Sequence, residues 1–407
     1  MKYVAVLGVA PSESTIKPVV HHFDDYLVSI AEPTTARGWS LQDIARQMNK
    51  IEVKRLPNMK LYLDSGGYQI ITGHITERRL REYTDVYHFI LEKFRGNIDY
   101  IFTLDINNPK FNKSKILKYN EYSITESILL HKKYSELRDK QIFVVQSRTP
   151  ELLDDWLQLM DSTECYKYFD RYSFGGLVGL KSETRVHFNH FVPMTIWLMT
   201  YLQKKGIKPK HIHMLGQSSR VALITGRILE KLFDIEITMD SSEVIRFSPI
   251  KYKTPMVLKT DMSFDVINDL NEMTKMIEHH SEFDSLTEDE INEFKNELIQ
   301  GNVSNQTFVE IISLNIKSVM HFADELVDNI ELEELMNWTS DDFKRYSPVF
   351  NLGRLANEMV NNLTLIKRLL KILKSDVATE TFEIHNEVKK IISSYYDGSG
   401  IKNGIIE

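Results

Sequence analysis

The chain has 407 residues, 42% of them apolar, and a formal net charge of −7. Its one cysteine, Cys165, excludes an internal disulfide and a zinc site built on several thiolates, and the lack of any run of 18 apolar residues excludes a helical membrane span. The charge is unevenly spread: residues 1–260 carry 37 Lys+Arg against 29 Asp+Glu, a net of +8, and residues 261–407 carry 13 against 28, a net of −15. A basic first unit can meet a phosphate backbone even in an acidic protein, because screening confines the interaction to about 10 Å. Solvated helix faces account for the same counts.

The opening M-K-Y-V-A-V-L-G-V-A-P-S reads as a strand and turn rather than a signal peptide. With the lone cysteine, it sets the expectation of a cytoplasmic protein. From there, short β-branched or aromatic runs recur at 3–9, 61–64, 100–105, 142–146, 172–177, 212–216, 235–240 and 256–260. Between them lie amphipathic stretches at 77–94, 114–136, 150–160, 188–205 and 219–233. Eight strands alternating with helices predict an α/β fold, a (β/α)8 TIM-like barrel over 1–264, with an open doubly wound sheet as the competitor. Residues 265–407 read as an acidic, mainly helical C-terminal appendage: Thr287 and Glu290 have capping-box spacing, and 363–373 and 383–395 are apolar-periodic.

Five of these strands end in a polar or glycine-rich element: Asp64, Asp105, Gln146, the pair Gly175 and Gly176, and Asp240. Barrels carry their chemistry at that end of the strands. After Asp64 the chain runs Ser65, Gly66, Gly67, Tyr68, Gln69, a carboxylate followed by two glycines that let backbone turn sharply and approach a flat ligand. Each strand-end Asp has an alternative use as a helix N-cap, most plainly Asp105, whose loop continues Ile106, Asn107, Asn108, Pro109. His211 and His213 are two apart on a strand and share a face, as a metal pair would, but with no thiolate nearby they read as ordinary core or surface histidines.

In chain order, D-S-G-G-Y-Q at 64–69, V-V-Q at 144–146, F-G-G-L-V-G at 174–179, M-L-G at 214–216 and M-D-S-S-E-V-I-R at 239–246 resemble the queuine and archaeosine tRNA-guanine transglycosylases. The match covers about the first 260 residues. It implies a barrel that exchanges guanine in a polynucleotide for a 7-deazaguanine such as preQ0. Asp240 would be the nucleophile and Asp64 the general acid and base. Asp105, Gln146, Gly175, Gly176, Leu177, Ser65, Gly66, Tyr68 and Gln69 would surround the base. Tyr68 either stacks on the purine or packs under the barrel rim. Arg246 would contact the nucleic acid.

Two departures narrow the resemblance. The C-x-C-x2-C cluster of the tRNA enzymes has no counterpart, so neither their structural zinc nor any other cofactor is expected. G-L-V-G-L-K-S-E is one residue shorter than the family's pattern and leaves Glu183 out of step. A helical appendage in place of a zinc unit is what the phage-type DNA-guanine transglycosylases, the DpdA group, carry, and the whole chain is most similar to them. That resemblance implies DNA and a free 7-deazaguanine as partners, no membrane, and anti-restriction DNA modification. Arg78, Arg79, Arg81, Lys110, Lys113 and Lys115 are the candidate phosphate-contacting rim, with solvated helix faces as the alternative.

Overall fold

The computed structural model describes residues 1–7, 13–31, 59–106, 111–146, 149–175, 191–217, 219–241, 256–258, 264–266, 305–346, 355–374, 381–396, 401–402 and 405–406, with isolated helical positions within 43–49 and 289–300. Eight parallel strands close into a barrel in sequence order. They are β1 (Lys2–Val6), β2 (Asp25–Ser29), β3 (Lys60–Asp64), β4 (Tyr100–Phe102), β5 (Gln141–Gln146), β6 (Arg171–Gly175), β7 (His211–Met214) and β8 (Glu236–Ser241). β1 completes the ring by pairing with β8, Val4 opposite Asp240.

Seven of the eight expected strands belong to this barrel, and one assignment is corrected. The run at 256–260 contributes Met256–Leu258, which pairs antiparallel with Phe264–Val266 outside the barrel. The missing strand is β2, D-Y-L-V-S, every residue of it buried. The carboxylate pair Asp24 and Asp25, just before it and at its head, gives it the look of a turn. A barrel interior nevertheless accepts a polar residue wherever another side chain meets it, and Tyr62 donates its hydroxyl to Asp25 at 3.4 Å.

The helices fall close to their expected spans: Leu80–Phe94, Lys113–Lys133, Pro150–Thr163, Phe191–Lys204 and Arg220–Phe233. Their starts are written locally. Asn112, Thr149 and Ser219 each accept a hydrogen bond from the backbone N–H three residues on, and Pro150 follows its cap at a position where a missing N–H costs nothing.

Helix Phe191–Lys204 is buried over its first twelve residues, around the whole circumference rather than along one stripe. A helix of that kind needs cover on both sides. The C-terminal helices Leu355–Lys374 and Thr381–Tyr396 pack on it, as does Pro150–Thr163. Asn305–Asn329 and Leu355–Lys374 also pack on Arg220–Phe233, where Arg227 meets Asp324 at 2.7 Å and Asp328 at 3.0 Å. Val327, Met359, Leu363, Leu369 and Ile392 thus share one apolar cluster with barrel residues such as Trp197 and Leu229. Two of the acidic C-terminal side chains thus pair with one cation of the barrel, Arg227. A chain ending at residue 304 should therefore expose the outer face of Phe191–Lys204 and aggregate; a monomeric, monodisperse peak on size exclusion would contradict this. Thr287 and Glu290 lie outside the described residues.

Candidate active site at the C-terminal mouth of the barrel

Alternation along the strands sorts the interior into layers. Val4, Leu27, Tyr62, Phe102, Ile142 and Val144 form an apolar plug on the β1 to β5 side. The sector from β6 to β8 is polar instead: Ser173, His211, His213 and Thr238 are all essentially inaccessible. Above these, at the strand ends and with the same inward parity, stand Ser29, Asp64, Gln146, Gly175 and Asp240.

Asp64 closes β3 in register with Ser29 at the end of β2. The Ser29 side chain and the Gly66 N–H both hydrogen-bond its carboxylate, yet desolvation outweighs them and, with the negative charge of Asp240 adding to it, raises the group to about 6. The loop that follows is held tightly. Gly66 has φ 89°, and a Cβ there would stand 2.1 Å from the Ala31 Cβ, so both the backbone and the space require glycine. Ser65 is buried, and its carbonyl accepts from the Tyr83 hydroxyl. Gln69 donates its N–H to the Gly66 carbonyl, while its Oε1 has no hydrogen-bond partner among the described residues. Tyr68 is 36% exposed, so it stands at the open rim rather than beneath it.

Asp105 lies three residues beyond β4, 5% exposed, with Oδ1 buried and lacking a hydrogen-bond partner among the described residues. It does not serve as a helix N-cap; the cap of the next helix is Asn112. Burial, then the charge of Asp64, pushes Asp105 up to about 7. Two glycines make room for this carboxyl. A Cβ on Gly67 would lie 2.1 Å from Asp105 Oδ2, and one on Gly175 would lie 2.9 Å from the same oxygen and 2.6 Å from Gln146 Nε2. Gly67→Ala should therefore displace Asp105 and cost about 1–3 kcal/mol. Gly96, where an added Cβ would meet nothing within 4 Å, is the control. Equal melting temperatures for Gly67→Ala and Gly96→Ala would refute the crowding.

Asp240 sits across the mouth, 6% exposed. Its Oδ1 accepts from the Gly216 N–H at 2.8 Å and contacts His213 Nε2 at 2.9 Å. Among the described residues, both hydrogen bonds of the Asp240 carboxylate fall on Oδ1. The barrel thus gathers Asp64, Asp105 and Asp240 with Gln146 and Gly175 at one end. Gly176, Leu177, Arg246 and Lys110 lie outside the described residues. Of the expected basic rim, Arg79 is tied to Glu82, Lys113 to Asp155 and Lys115 to Glu77.

Two site residues are absent from the expectations. Ser29 comes with the unrecognised β2. His213, an ordinary histidine by sequence, touches the carboxylate of Asp240. Pairing β7 with β8, which sets His213 opposite Thr238, together with the parity shared by His213 and Asp240, is the signal that would have found it.

No family model matches this chain, and no curated protein matches it. Among solved structures, a variant carboxyl transferase domain of Rhizobium etli pyruvate carboxylase, solved with pyruvate, is similar at 10% identity and a TM-score of 0.32. That alignment covers 92% of this chain and 63% of the other, so the chain spans less than two thirds of that structure's length. The barrel assignment rests on the strand pairing itself.

Proposed function

We propose that the protein is a base-exchange glycosyltransferase, a DNA-guanine transglycosylase that replaces guanine with a 7-deazaguanine through a covalent glycosyl-aspartate. The observation that carries this reading is the division of labour among three carboxylates at one barrel mouth. Asp240 is held at one oxygen by two groups and keeps the other for attack. Asp64, raised to about 6, is suited to give and take a proton near neutral pH. Asp105 and Gln146 lie within reach of the same space as Gly175.

In the first displacement Asp240 Oδ2 bonds to the anomeric carbon as the bond to guanine N9 breaks, and Asp64 protonates the departing base. In the second, the incoming base yields its proton to Asp64, its N9 attacks the same carbon, and Oδ2 leaves. Two inversions give net retention. Asp105 accepts from the N–H groups of the base edge, and Gln146 donates to its carbonyl. Tyr68, open at the rim, is placed to stack on a purine. A stacked target in duplex DNA has to be extruded at a cost of a few kcal/mol, so mismatched or single-stranded guanines should react faster.

The choice of DNA, and with it a phage-type role in shielding DNA from restriction nucleases, is supported by the lone cysteine and the helical C-terminal elements together with the motif resemblance. The runner-up is a tRNA-guanine transglycosylase on the same barrel, which this mouth would serve equally well. A third reading, a nucleic-acid-binding protein without turnover, is disfavoured by three carboxylates facing a polyanion. The test is release of radiolabelled guanine from duplex DNA and from tRNA in parallel, with several 7-deazaguanines supplied and the digested nucleosides weighed by mass spectrometry. Incorporation into DNA alone supports the proposal, exchange in tRNA alone moves the protein to the runner-up, and release from neither removes base exchange.

A further inference from the structure

Beneath the nucleophile, the polar sector of the barrel interior forms a continuous chain. His211 Nε2 lies 2.6 Å from Thr238 Oγ1, Thr238 Oγ1 lies 2.6 Å from His213 Nδ1, and His213 Nε2 lies 2.9 Å from Asp240 Oδ1. Thr238, His211 and His213 are at most 1% exposed. Barrel interiors are ordinarily filled by branched apolar side chains, so a buried column of this kind calls for a reason.

Hydrogen-bond inventory gives the chain a direction. Asp240 Oδ1 already accepts from the Gly216 N–H, so the His213 nitrogen facing it is the donor. In a neutral imidazole, Nδ1 is then an acceptor, and the single hydroxyl hydrogen of Thr238 points to it. Thr238 has no hydrogen left for His211, whose Nε2–H must donate to Thr238 Oγ1. That leaves His211 Nδ1 as a bare lone pair, in agreement with its having no partner among the described residues. Burial also holds His211 well below the usual histidine range and so uncharged. The groups facing His213 are Asp240, Thr238, His211, the rings of Tyr62 and Phe102, and the charge of Asp64.

We propose that His213, its Nε2–H tautomer fixed by Asp240 Oδ1 and matched below by Thr238 and His211, is a positioning residue for the nucleophile, aiming Asp240 Oδ2 at the anomeric carbon and stabilising the carboxylate as it leaves. The proposal rests on the base-exchange reading. In the covalent intermediate Oδ1 is the ester carbonyl oxygen, with the His213 and Gly216 N–H groups still on it. When the incoming N9 bonds to the anomeric carbon, the electron pair of the breaking bond to Oδ2 returns to the carboxylate, and the two donors meet that charge. Loss of the His213 donor therefore weighs on the second displacement.

The experiment uses the full chain and the variants H213F, H213Q and T238V. It follows exchange of labelled guanine in the preferred polymer, the fraction of enzyme trapped as a covalent adduct on denaturing gels, and the melting temperature. H213F is expected to lower kcat by roughly 10²–10³-fold, the scale of losing one donor to a developing charge, with KM for the polymer little changed and the adduct accumulating. H213Q, whose amide can donate to Oδ1, should recover at least about tenfold of that loss, and T238V should fall between wild type and H213F. Nitrogen NMR of the histidine rings reads the tautomer without activity: His213 should carry its hydrogen on Nε2 in wild type and in T238V, with its Nδ1 signal shifted in T238V as the hydrogen bond from Thr238 is lost. Wild-type exchange with unaltered kcat in H213F overturns the positioning role alone. Equal loss in H213F and H213Q at unchanged melting temperature overturns it too. A wild type that exchanges no base while showing the Nε2–H tautomer removes the base-exchange reading and leaves the hydrogen-bonded column standing.

Discussion

Asp240→Asn should lower base exchange by about 10⁴-fold or more while leaving the fold intact. The amide oxygen can occupy the place of Oδ1 and still accept from Gly216 N–H and His213 Nε2–H, so neither buried donor is orphaned. What is lost is the negative charge and the free oxygen that would bond to the sugar. Wild-type enzyme incubated with polymer should yield a covalent adduct on a denaturing gel, and Asp240→Asn none. Exchange within tenfold of wild type, at an unchanged melting temperature, would sink the assignment of Asp240 as nucleophile.

Asp105→Asn should stabilise the protein, and by more as pH rises. Burial and the charge of Asp64 raise this carboxyl from the ordinary aspartate range to about 7, so the folded protein holds a proton that the unfolded chain gives up near pH 4. Between those values the unfolded state binds fewer protons than the native one, and stability falls as pH climbs through the window. The cost is absent below pH 4 and complete above 7. At pH 8 it is on the order of 4 kcal/mol, which asparagine removes. Denaturant titrations of both proteins at pH 5 and pH 8 check this: the gap should widen at pH 8, and a gap independent of pH would refute the buried-carboxyl account. Because Asp105 lies beside Gln146 and Gly175, where the proposed reading puts the base, the stabilised variant is expected on that reading to lose guanine binding, a stability gain set against function.

Much of this architecture is legible in the sequence. Helix starts can be read because a cap is a local event: Thr149 followed by Pro150, and Ser219 before an apolar-periodic run, satisfy backbone N–H groups within three residues. Asp64, Gln146, Gly175 and Asp240 can be read because each stands at or near the end of a strand, and the ends of parallel strands in a closed barrel share one mouth. The failures are of a different kind. β2 escapes notice because Asp25 at its head looks like turn chemistry until Tyr62 arrives from the next strand to meet it. The run at 256–260 takes β2's place in the expected barrel because three apolar residues look alike in a barrel and in a stray hairpin.

What the sequence determined by itself is therefore the repeating alternation of strand and helix, the polar residue at each of several strand ends, and the glycine pair after Asp64. These follow from periodicity, capping and backbone freedom, which act over a few residues. The tertiary structure decided the rest. Asp105 Oδ2 fits only because Gly67 and Gly175 lack a Cβ, and the upward shifts of Asp64 and Asp105 arise from burial among distant strands. His213 became a partner of Asp240 when β7 and β8 paired in a register that sets it opposite Thr238. The first twelve residues of helix Phe191–Lys204 are buried because helices from the far end of the chain pack on it. Desolvation, close approach and register are properties of groups brought together by closure of the chain, so no local stretch of sequence carries them.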